Sequence, residues 1–316
     1  MEILDLTFGI IAVAAISHRF AGAVKAAGGT VTAAASRSLP KARQFCREHS
    51  IEKAYGSYEE LYRDQEIAVV YIATINAGHV KEITQALSYG KHVLCEKPLA
   101  LSEWQAAGAF KLAAGKGLFL MEMQKSVFLP VTRLVKEYID NKVLGELHQV
   151  DLSASFELPC AAWMHDPEQG GVVYGSASYT LEYLDYLIEP GDTIVRAEGT
   201  REENGTVDSV SLDMKMDSVR ISSRISMRAS GASYAVFYFE RGWIRIPEYW
   251  KARSCEIGLS DGSIRQMEYP VDYEMVYEVE HAGRCILDGC TESPVMTVQR
   301  TLRCCCLVDE IMDGLT

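Results

Sequence analysis

Residues 6–35 have the sequence LTFGIIAVAAISHRFAGAVKAAGGTVTAAA, and this stretch decides the fold. Its first part, Leu6 to Val13, is a short apolar run that is typical of a strand buried on both faces. An amphipathic stretch from Ser17 to Ala27 follows with helical spacing, and Val31 to Ala35 is a second apolar run. This order predicts a strand, a helix and a second strand that lies parallel to the first.

The same alternation continues to about residue 120. Three further apolar runs predict strands, at Ala68 to Ala73, His92 to Cys95 and Leu118 to Met121. Stretches with helical spacing separate them, at Pro40 to His49, His79 to Tyr89 and Ser102 to Lys116. Repeated right-handed crossovers give a doubly wound parallel sheet with helices on both faces. We expect Ser17 to cap the first helix, because serine is a preferred N-cap residue.

After Gln124 the pattern changes from buried runs to alternating strands. One more amphipathic helix is predicted at Leu129 to Asp140, and helices are predicted at Gly171 to Leu187 and Tyr273 to Ile286. Strands joined by tight turns are predicted at His148 to Phe156, Ser209 to Met216, Val219 to Met227, Ser233 to Glu240 and Trp243 to Ile246. These features predict an α+β domain with a mainly antiparallel sheet. We therefore expect two domains, residues 1–122 and 123–316.

Composition and charge exclude several classes of protein. A chain of 316 residues is long enough for two domains. Its 31 basic and 43 acidic residues give a net charge of −12, which disfavours nucleic acid as a partner. The longest apolar run, Phe8 to Ile16, is about half the length of a membrane span. Glu2 and Asp5 precede it, which is the wrong charge for an export signal. We expect a cytoplasmic protein.

Cysteines and histidines give no metal-binding pattern. Nine cysteines without regular spacing indicate reduced, mostly buried thiols. Cys304, Cys305 and Cys306 are consecutive, and on a helix three such residues point about 100° apart and cannot converge on one ion unaided. The seven histidines form neither HxH nor HExxH, so a metal-dependent hydrolase has little support. We expect no metal site.

The turn after the first strand is where a doubly wound sheet binds an anionic ligand. A dinucleotide-binding turn carries GxGxxG, and the three glycine positions are here Ala12, Ala14 and Ser17. Backbone N–H groups and the positive end of the helix hold a diphosphate, and Ala14, Ala15 and Ile16 still provide these groups. A cofactor-binding turn and a structural turn that has lost binding both remain open.

The end of the second strand indicates which dinucleotide would fit. The sequence is Ala35-Ser36-Arg37-Ser38, and Lys41 lies one helical turn further on. A hydroxyl and two cations suit the 2′-phosphate of NADP, whereas NAD is usually recognised by an acidic residue at this point. NADP is therefore the predicted cofactor and NAD a possible one. The alternative is a solvated loop of ordinary composition.

A lysine follows the strand that starts at His92. In Cys95-Glu96-Lys97-Pro98 the lysine lies between a strand end and a proline, so its backbone has little freedom. Placed at the rim of the same crevice, its ammonium could give or take a proton. The alternative is an exposed lysine in a proline-containing loop.

Three runs together resemble one known family. They are Phe8 to Ser17, Lys53 to Leu61 and Val93 to Pro98, the last with the motif EKP. The sequence resembles the glucose-fructose oxidoreductase, inositol dehydrogenase and rhizopine-catabolism (Gfo/Idh/MocA) family, and within it the dimeric dihydrodiol dehydrogenase branch. The resemblance extends over nearly the whole chain.

The resemblance implies a fold and an activity. It implies an N-terminal Rossmann domain that binds the dinucleotide, then a substrate-binding α+β domain whose large open sheet serves dimerisation. A homodimer or homotetramer is therefore expected. It also implies hydride transfer between NADP or NAD and a secondary alcohol or ketone of a sugar, polyol or diol. Lys97 would contact the reacting oxygen and the cofactor, Glu96 and Pro98 would shape the pocket, and further groove residues would be Thr74, Asn76 and His79.

In the second domain the resemblance marks Tyr179, eight residues after Gly171, as a partner in proton transfer. The alternative is one more buried aromatic residue. Position 175, where the family usually has aspartate, is glycine in this chain. Trp163 and His165 are candidate substrate contacts, although such residues more often serve packing. Two functions stay open: an NAD(P)-dependent oxidoreductase that uses Lys97 and Tyr179, or a catalytically silent member that binds a dinucleotide or a sugar.

Overall fold

A computed structural model of the chain describes residues 5–156, 161–188 and 193–315. It contains two compact units, Met1–Gln124 with Asp272–Leu302, and Lys125–Val271 with Arg303–Thr316. The first boundary falls two residues after the predicted one. In addition, the chain returns to the first unit after residue 271, where a single uninterrupted second domain was expected.

The returning segment packs closely on the first unit. Its helix α8, Val276–Leu287, contacts helix α1, Ala15–Ala26. A side chain at Gly22 would come within 2.4 Å of the Tyr273 ring, so a glycine on α1 allows the approach. Periodicity predicts each helix but does not identify the helix on which it packs, so the return could not be predicted from the sequence.

The first unit contains a six-stranded sheet in which all strand pairs are parallel, in the order β3-β2-β1-β4-β5-β6. This order confirms the predicted doubly wound fold. Its strands are β1 (Thr7–Ile11), β2 (Thr30–Ala35), β3 (Lys53–Tyr55), β4 (Val69–Ile72), β5 (His92–Glu96) and β6 (Leu120–Met123). All four residues of β4 are buried, as expected for a central strand covered on both faces.

Helices link these strands and differ from the predicted ones mainly at their ends. They are α1, α2 (Leu39–His49), α3 (Tyr58–Arg63), α4 (His79–Ser88) and α5 (Glu103–Lys116). Strand β3 and helix α3 were not predicted, because three and six residues are too short to show a period. The expectation that Ser17 caps α1 was wrong, since α1 begins two residues earlier and its N-cap is Ala14.

The second unit is built on an eight-stranded sheet in the order β14-β13-β12-β11-β7-β10-β9-β8. Only β7 and β10 pair in parallel among these strands. The strands are β7 (Leu147–Ser155), β8 (Thr193–Arg201), β9 (Val207–Met216), β10 (Val219–Ser226), β11 (Tyr234–Phe239), β12 (Gly242–Pro247), β13 (Ser254–Leu259) and β14 (Ile264–Glu268). The predicted, mainly antiparallel α+β sheet is confirmed, with β8, β13 and β14 as additions.

Helices α6 (Pro130–Asp140) and α7 (Gly171–Leu187) complete the second unit, and α7 covers β9 and β10. Helix α9, Val298–Gly314, runs from one unit into the other and contains Cys304, Cys305 and Cys306. None of the eight cysteines in the described part of the chain forms a disulfide, and six of them are buried, which agrees with the expectation of reduced, mostly buried thiols for these residues. Within the same part, no helix combines the length and the apolar character needed to cross a membrane.

Candidate active site

The turn between β1 and α1 is closed from inside by Ser17. Its hydroxyl donates to the Ala12 carbonyl at 2.6 Å and accepts from the Ala14 amide at 3.2 Å. Ser17 is fully buried, and Ala12 takes a left-handed backbone conformation with φ of 65°. The serine at the last glycine position of the motif therefore shapes the turn from within.

The outer side of this turn is open. Ala14 and Ala15 are exposed and Ile16 is half-buried, so the two methyl groups do not fill the space above the helix end. The amides of Ala15 and Ile16 lie in the first turn of α1, where N–H groups have no partner within the helix. These donors and the positive helix end suit a diphosphate, so the turn fits the dinucleotide.

Ser36, Arg37 and Lys41 follow β2, the neighbour of β1. Arg37 and Lys41 are exposed, and within the described part of the chain no carboxylate lies within 4.0 Å of either side chain. The Ser36 hydroxyl accepts from the Ser38 amide at 3.3 Å, and this contact holds the loop at the strand end. Two cations beside a hydroxyl can bind a phosphate here.

Thr74, Asn76 and His79 follow β4 on the other side of β1. The Thr74 hydroxyl is buried and has no hydrogen-bond partner among the described residues, so it can serve a ligand. His79 is 1% exposed, and its two ring nitrogens lie 2.7 Å from the Pro98 carbonyl and 3.0 Å from the Thr74 carbonyl. His79 therefore connects two loops, and Asn76 is buried next to them.

Glu96 is the last residue of β5, the strand beside β4, and Lys97 and Pro98 follow it. A Glu96 carboxylate oxygen accepts from the Tyr71 hydroxyl at 2.7 Å. Burial raises the pKa of Tyr71 well above its usual value, which keeps this phenol a donor. Lys97 and Pro98 are half-buried, and the peptide bond between them is cis. Because β2, β1, β4 and β5 are neighbours, all these predicted residues lie at one edge of the sheet.

Glu122 supports the EKP loop and was not predicted as a site residue. It lies within β6 with 1% exposure and accepts from the Leu99 amide at 2.9 Å and from the Thr301 hydroxyl at 2.6 Å. The loop that carries Lys97 is thus held by a buried carboxylate. The signal for this role in the sequence was an acidic residue directly after the apolar run Leu118 to Met121.

In the second unit Tyr179 is half-buried on α7 and has a lysine at its hydroxyl. Lys125 Nζ donates to the Tyr179 oxygen at 3.1 Å and lies 5.0 Å from the centre of the ring. Lys125 is 6% exposed and begins a short 3₁₀ helix, Lys125–Phe128. Sequence reasoning missed this lysine, since 54 residues separate it from Tyr179.

Aromatic rings surround Tyr179. The Trp250 ring lies 6.0 Å from the Tyr179 ring, and Phe156 and Tyr249 each lie 5.2 Å from Trp250. The Tyr249 hydroxyl is held by Thr180 at 2.8 Å. Rings of this kind offer faces on which a sugar or a cyclic diol can pack.

Trp163 and His165 are half-buried on a 3₁₀ helix, Ala162–His165. His165 Nδ1 lies 2.9 Å from a carboxylate oxygen of Glu202, and the His165 carbonyl accepts from Thr206 at 2.9 Å. These contacts tie the segment to the β8–β9 hairpin. The role of Trp163 and His165 in substrate binding stays a prediction.

Glycine at position 175 makes room for a neighbour on this segment. A Cβ atom there would lie 3.0 Å from Met164 Cε and 3.4 Å from its sulfur. Met164 therefore occupies the space that an aspartate side chain would enter. The Met164 side chain thus fills the space where other family members usually have a carboxylate.

Comparisons with known proteins identify the family. The family model "Oxidoreductase family, NAD-binding Rossmann fold" matches residues 6–124, and the model "GFO/IDH/MocA C-terminal domain" matches residues 132–245. The chain is 30% identical to a trans-1,2-dihydrobenzene-1,2-diol dehydrogenase of Xenopus tropicalis, over 98% of this chain and 97% of the relative. The chain belongs to the Gfo/Idh/MocA oxidoreductase family. It is therefore an NAD(P)-dependent oxidoreductase.

A second relative and two solved structures are also similar to this chain. The Sus scrofa dihydrodiol dehydrogenase is 28% identical over 99% of this chain and 97% of the relative. The 3-ketoreductase KijD10 from Actinomadura kijaniata, solved with NADP and TDP-benzene, superposes with a TM-score of 0.87 at 23% identity and covers 98% of each chain. A levoglucosan dehydrogenase solved with NADH and levoglucosan gives 0.85 at 17% identity, over 98% of this chain and 96% of that one. The solved structures support the fold.

Proposed function

We propose that the protein exchanges hydride between NADP(H) and a secondary alcohol or ketone carbon of a sugar, polyol or diol. The observation that carries the proposal is the set of predicted residues at one edge of the parallel sheet, above an open helix end. The names of the relatives support a diol, and the aromatic cluster around Tyr179 suits a ring-shaped substrate. NAD is the alternative to NADP as cofactor.

Dinucleotide binding would use the residues that follow β1, β2, β4 and β5. The amides of Ala15 and Ile16 would hold the diphosphate, and Ala12 and Ala14 would form the turn that faces it. Ser36, Arg37 and Lys41 would hold the 2′-phosphate, and Thr74 and Asn76 would line the groove, with His79 fixing the loops. When bound, the nicotinamide supplies the carbon that accepts or donates hydride.

Lys97 and Tyr179 would handle the proton. In the oxidation direction the substrate hydroxyl loses its proton to one of these groups, while the C–H electron pair leaves as hydride. Glu96 and Pro98 would hold Lys97 in place. Trp163 and His165 remain candidates for substrate contact. General acid–base assistance of this kind contributes about 10² to 10⁴ in rate.

The experiment that tests the proposal is Lys97→Ala, with Lys116→Ala as the control. Lys116 is an exposed lysine at the end of α5, in the same unit. We expect Lys97→Ala to lower kcat by about 10² or more while NADPH binding stays within threefold of the parent. Lys116→Ala should match the parent in both assays. A Lys97→Ala protein with the parent kcat on every active substrate would overturn the role of Lys97.

A silent binding protein is the alternative, and glycine at position 175 favours it, since the usual carboxylate is missing. NADPH binding without turnover on diols, inositols and sugar ketones would support this alternative. Failure to bind either NADPH or NADH at millimolar concentration would reject the proposed oxidoreductase activity.

The assembly and the compartment also remain proposals. We propose a homodimer or homotetramer in the cytoplasm. One row of directly paired residues crosses the eight-stranded sheet. It holds the exposed apolar side chains Ile194, Tyr238 and Ile264 together with Trp243, and the exposed polar residues Lys215, Arg220 and Gln149 lie between Ile194 and Tyr238. Exposed apolar side chains in one row suit an interface between copies of the chain. A monomer mass in sedimentation equilibrium would contradict the proposal.

A further inference from the structure

Lys125 is a buried cation next to the proposed acid–base group. Burying an ammonium costs several kcal/mol unless it is well partnered, so its place in the fold needs a reason. Its Nζ lies 3.1 Å from the Tyr179 oxygen. An ammonium has only donors, so the Tyr179 oxygen is the acceptor and the phenol proton points elsewhere.

The charged group at Tyr179 is a cation, Lys125. Position 175, where the family usually has aspartate, holds glycine, with Met164 in the space beside it. A cation within about 4 Å favours the ionised form of an acid. The other phenol of the cluster, Tyr249, is bound to Thr180, and burial raises its pKa, so it stays protonated. Trp250 carries no charge.

We propose that Lys125 is a positioning residue for Tyr179, which it holds by the oxygen and favours as phenolate. The proposal rests on the proposed role of Tyr179. In oxidation the substrate O–H bond breaks and its proton moves to the Tyr179 oxygen, while the C–H pair leaves as hydride to the oxidised nicotinamide. In reduction the same proton returns to the new alkoxide.

Steady-state kinetics test the coupling between the two side chains. The variants are Lys125→Met, Lys125→Arg, Tyr179→Phe and the double variant, with Lys142→Met as the control. Lys142 is exposed and pairs with Glu146. We expect Lys125→Met to lower kcat by about 10- to 100-fold with the KM for NADPH within twofold, Lys125→Arg to recover most of the loss, and the control to match the parent.

The double variant decides whether Lys125 acts through Tyr179. We expect its kcat to be no lower than that of Tyr179→Phe, because the lysine has no phenol left to act on. Losses that multiply, or a Lys125→Met protein with the parent kcat, would overturn the proposal.

A second readout needs no turnover, so it separates this proposal from the proposed function. The absorbance change at 295 nm reports tyrosine ionisation, and the difference between parent and Tyr179→Phe isolates Tyr179. We expect the midpoint of that difference to move up by at least about one pH unit in the Lys125→Met background. An unchanged midpoint would overturn the proposal even in an active enzyme. A shifted midpoint in a protein that turns over no substrate would support it, while the proposed function fails.

A second inference concerns three side chains on the helices α1 and α2 of the first unit. His18 Nδ1 lies 2.8 Å from His49 Nε2 and 3.8 Å from a carboxylate oxygen of Glu48. One ligand atom from each of the three residues lies within 4.8 Å of the others. The histidines are 31 residues apart, so sequence spacing gave no sign of this cluster, and no metal site was expected.

This donor set matches the ligands of zinc. Two imidazole nitrogens and one carboxylate bind Zn²⁺ at about 2.0 to 2.2 Å each, and water completes the tetrahedron. At 2.8 Å, His18 Nδ1 and His49 Nε2 share one proton in a hydrogen bond. A metal ion can replace that proton if the two nitrogens move slightly apart.

We infer that His18, Glu48 and His49 form a Zn²⁺ site that joins α1 to α2. Calorimetric titration of EDTA-treated protein with ZnCl₂ tests it, beside His18→Ala, His49→Ala and the control His148→Ala, an exposed histidine on β7. We expect one ion per parent chain with micromolar or tighter Kd, at least tenfold weaker binding in the two site variants, and parent binding in the control. Thermal unfolding should shift upward with zinc only in the parent and the control. Equal binding in parent and site variants, or none at 100 µM zinc, would overturn the inference.

Discussion

Ala12 adopts a left-handed backbone conformation, with φ of 65°, that L-residues other than glycine seldom use. Its amide donates to the Ala35 carbonyl at 3.0 Å, and its carbonyl accepts from Ser17. The turn thus keeps the backbone course that a glycine would give and accepts some strain. The alanines in this turn alter its energy more than its shape.

Replacing Ala12 by glycine should stabilise the protein, by up to about 1 kcal/mol, because glycine has no penalty at positive φ. Ala15→Gly, in the first turn of α1, is the matched control and should destabilise by about 0.5 to 1 kcal/mol, since glycine is a poorer helix former. Urea unfolding measures both. Changes of the same sign in the two variants would contradict the assignment of strain to Ala12.

A substitution of Arg37 tests whether the protein prefers NADPH to NADH. Arg37→Ala should weaken NADPH binding by about tenfold or more and leave NADH binding within twofold, because a charge-assisted hydrogen bond to the 2′-phosphate is worth about 1.5 to 3 kcal/mol. Arg43→Ala, an exposed arginine on α2, is the control. An unchanged ratio of NADPH to NADH affinity in Arg37→Ala would reject the predicted 2′-phosphate site.

At the scale of elements, the ends of the parallel strands are held by polar contacts between loops. His79 joins the loops after β4 and β5, and Glu122 joins the EKP loop to Thr301. At the opposite edge of the sheet, His92 at the start of β5 accepts from the Phe119 amide at 2.9 Å through Nδ1. This bond requires an unprotonated Nδ1, and burial lowers the pKa of His92 below its ordinary value of 6.5.

The pKa of His92 predicts a pH dependence of stability. Because the folded protein binds the proton less well than the unfolded chain, stability is complete above pH 6.5 and falls as the pH drops through that value. His79 has a pKa lowered by burial and adds in the same direction. The urea midpoint should fall between pH 7.5 and 5.5, and the fall should be smaller in His92→Asn, which offers an oxygen acceptor and does not titrate. An equal fall in parent and variant would contradict this assignment.

The sequence was most informative where a local pattern repeats. The apolar run at β1 and the helical spacing of α1 depend on neighbours in the chain, so the first sheet could be predicted. Glu122 with Thr301 and Lys125 with Tyr179 are pairs 179 and 54 residues apart, which only the tertiary fold brings together. Local patterns therefore predicted that the ends of the parallel strands share one crevice. They could not predict that Lys125 contacts Tyr179.

At the scale of the whole molecule, the chain forms two compact units, and the family assignment covers both. The first unit has an open helix end and two exposed cations, Arg37 and Lys41, and the second has an aromatic cluster near the Tyr179 phenol and the buried ammonium of Lys125. The proposed activity uses residues of both units. The proposed dinucleotide site, however, uses residues of the first unit alone.

Equilibrium binding of NADPH to the purified protein therefore tests the central claim most directly, followed by quenching of intrinsic fluorescence. The amides at the start of α1 should hold the diphosphate although alanines replace the usual glycines. We predict saturable binding of one NADPH per chain, tighter than binding of NADH. Absence of saturable binding of either dinucleotide up to millimolar concentration would contradict the account.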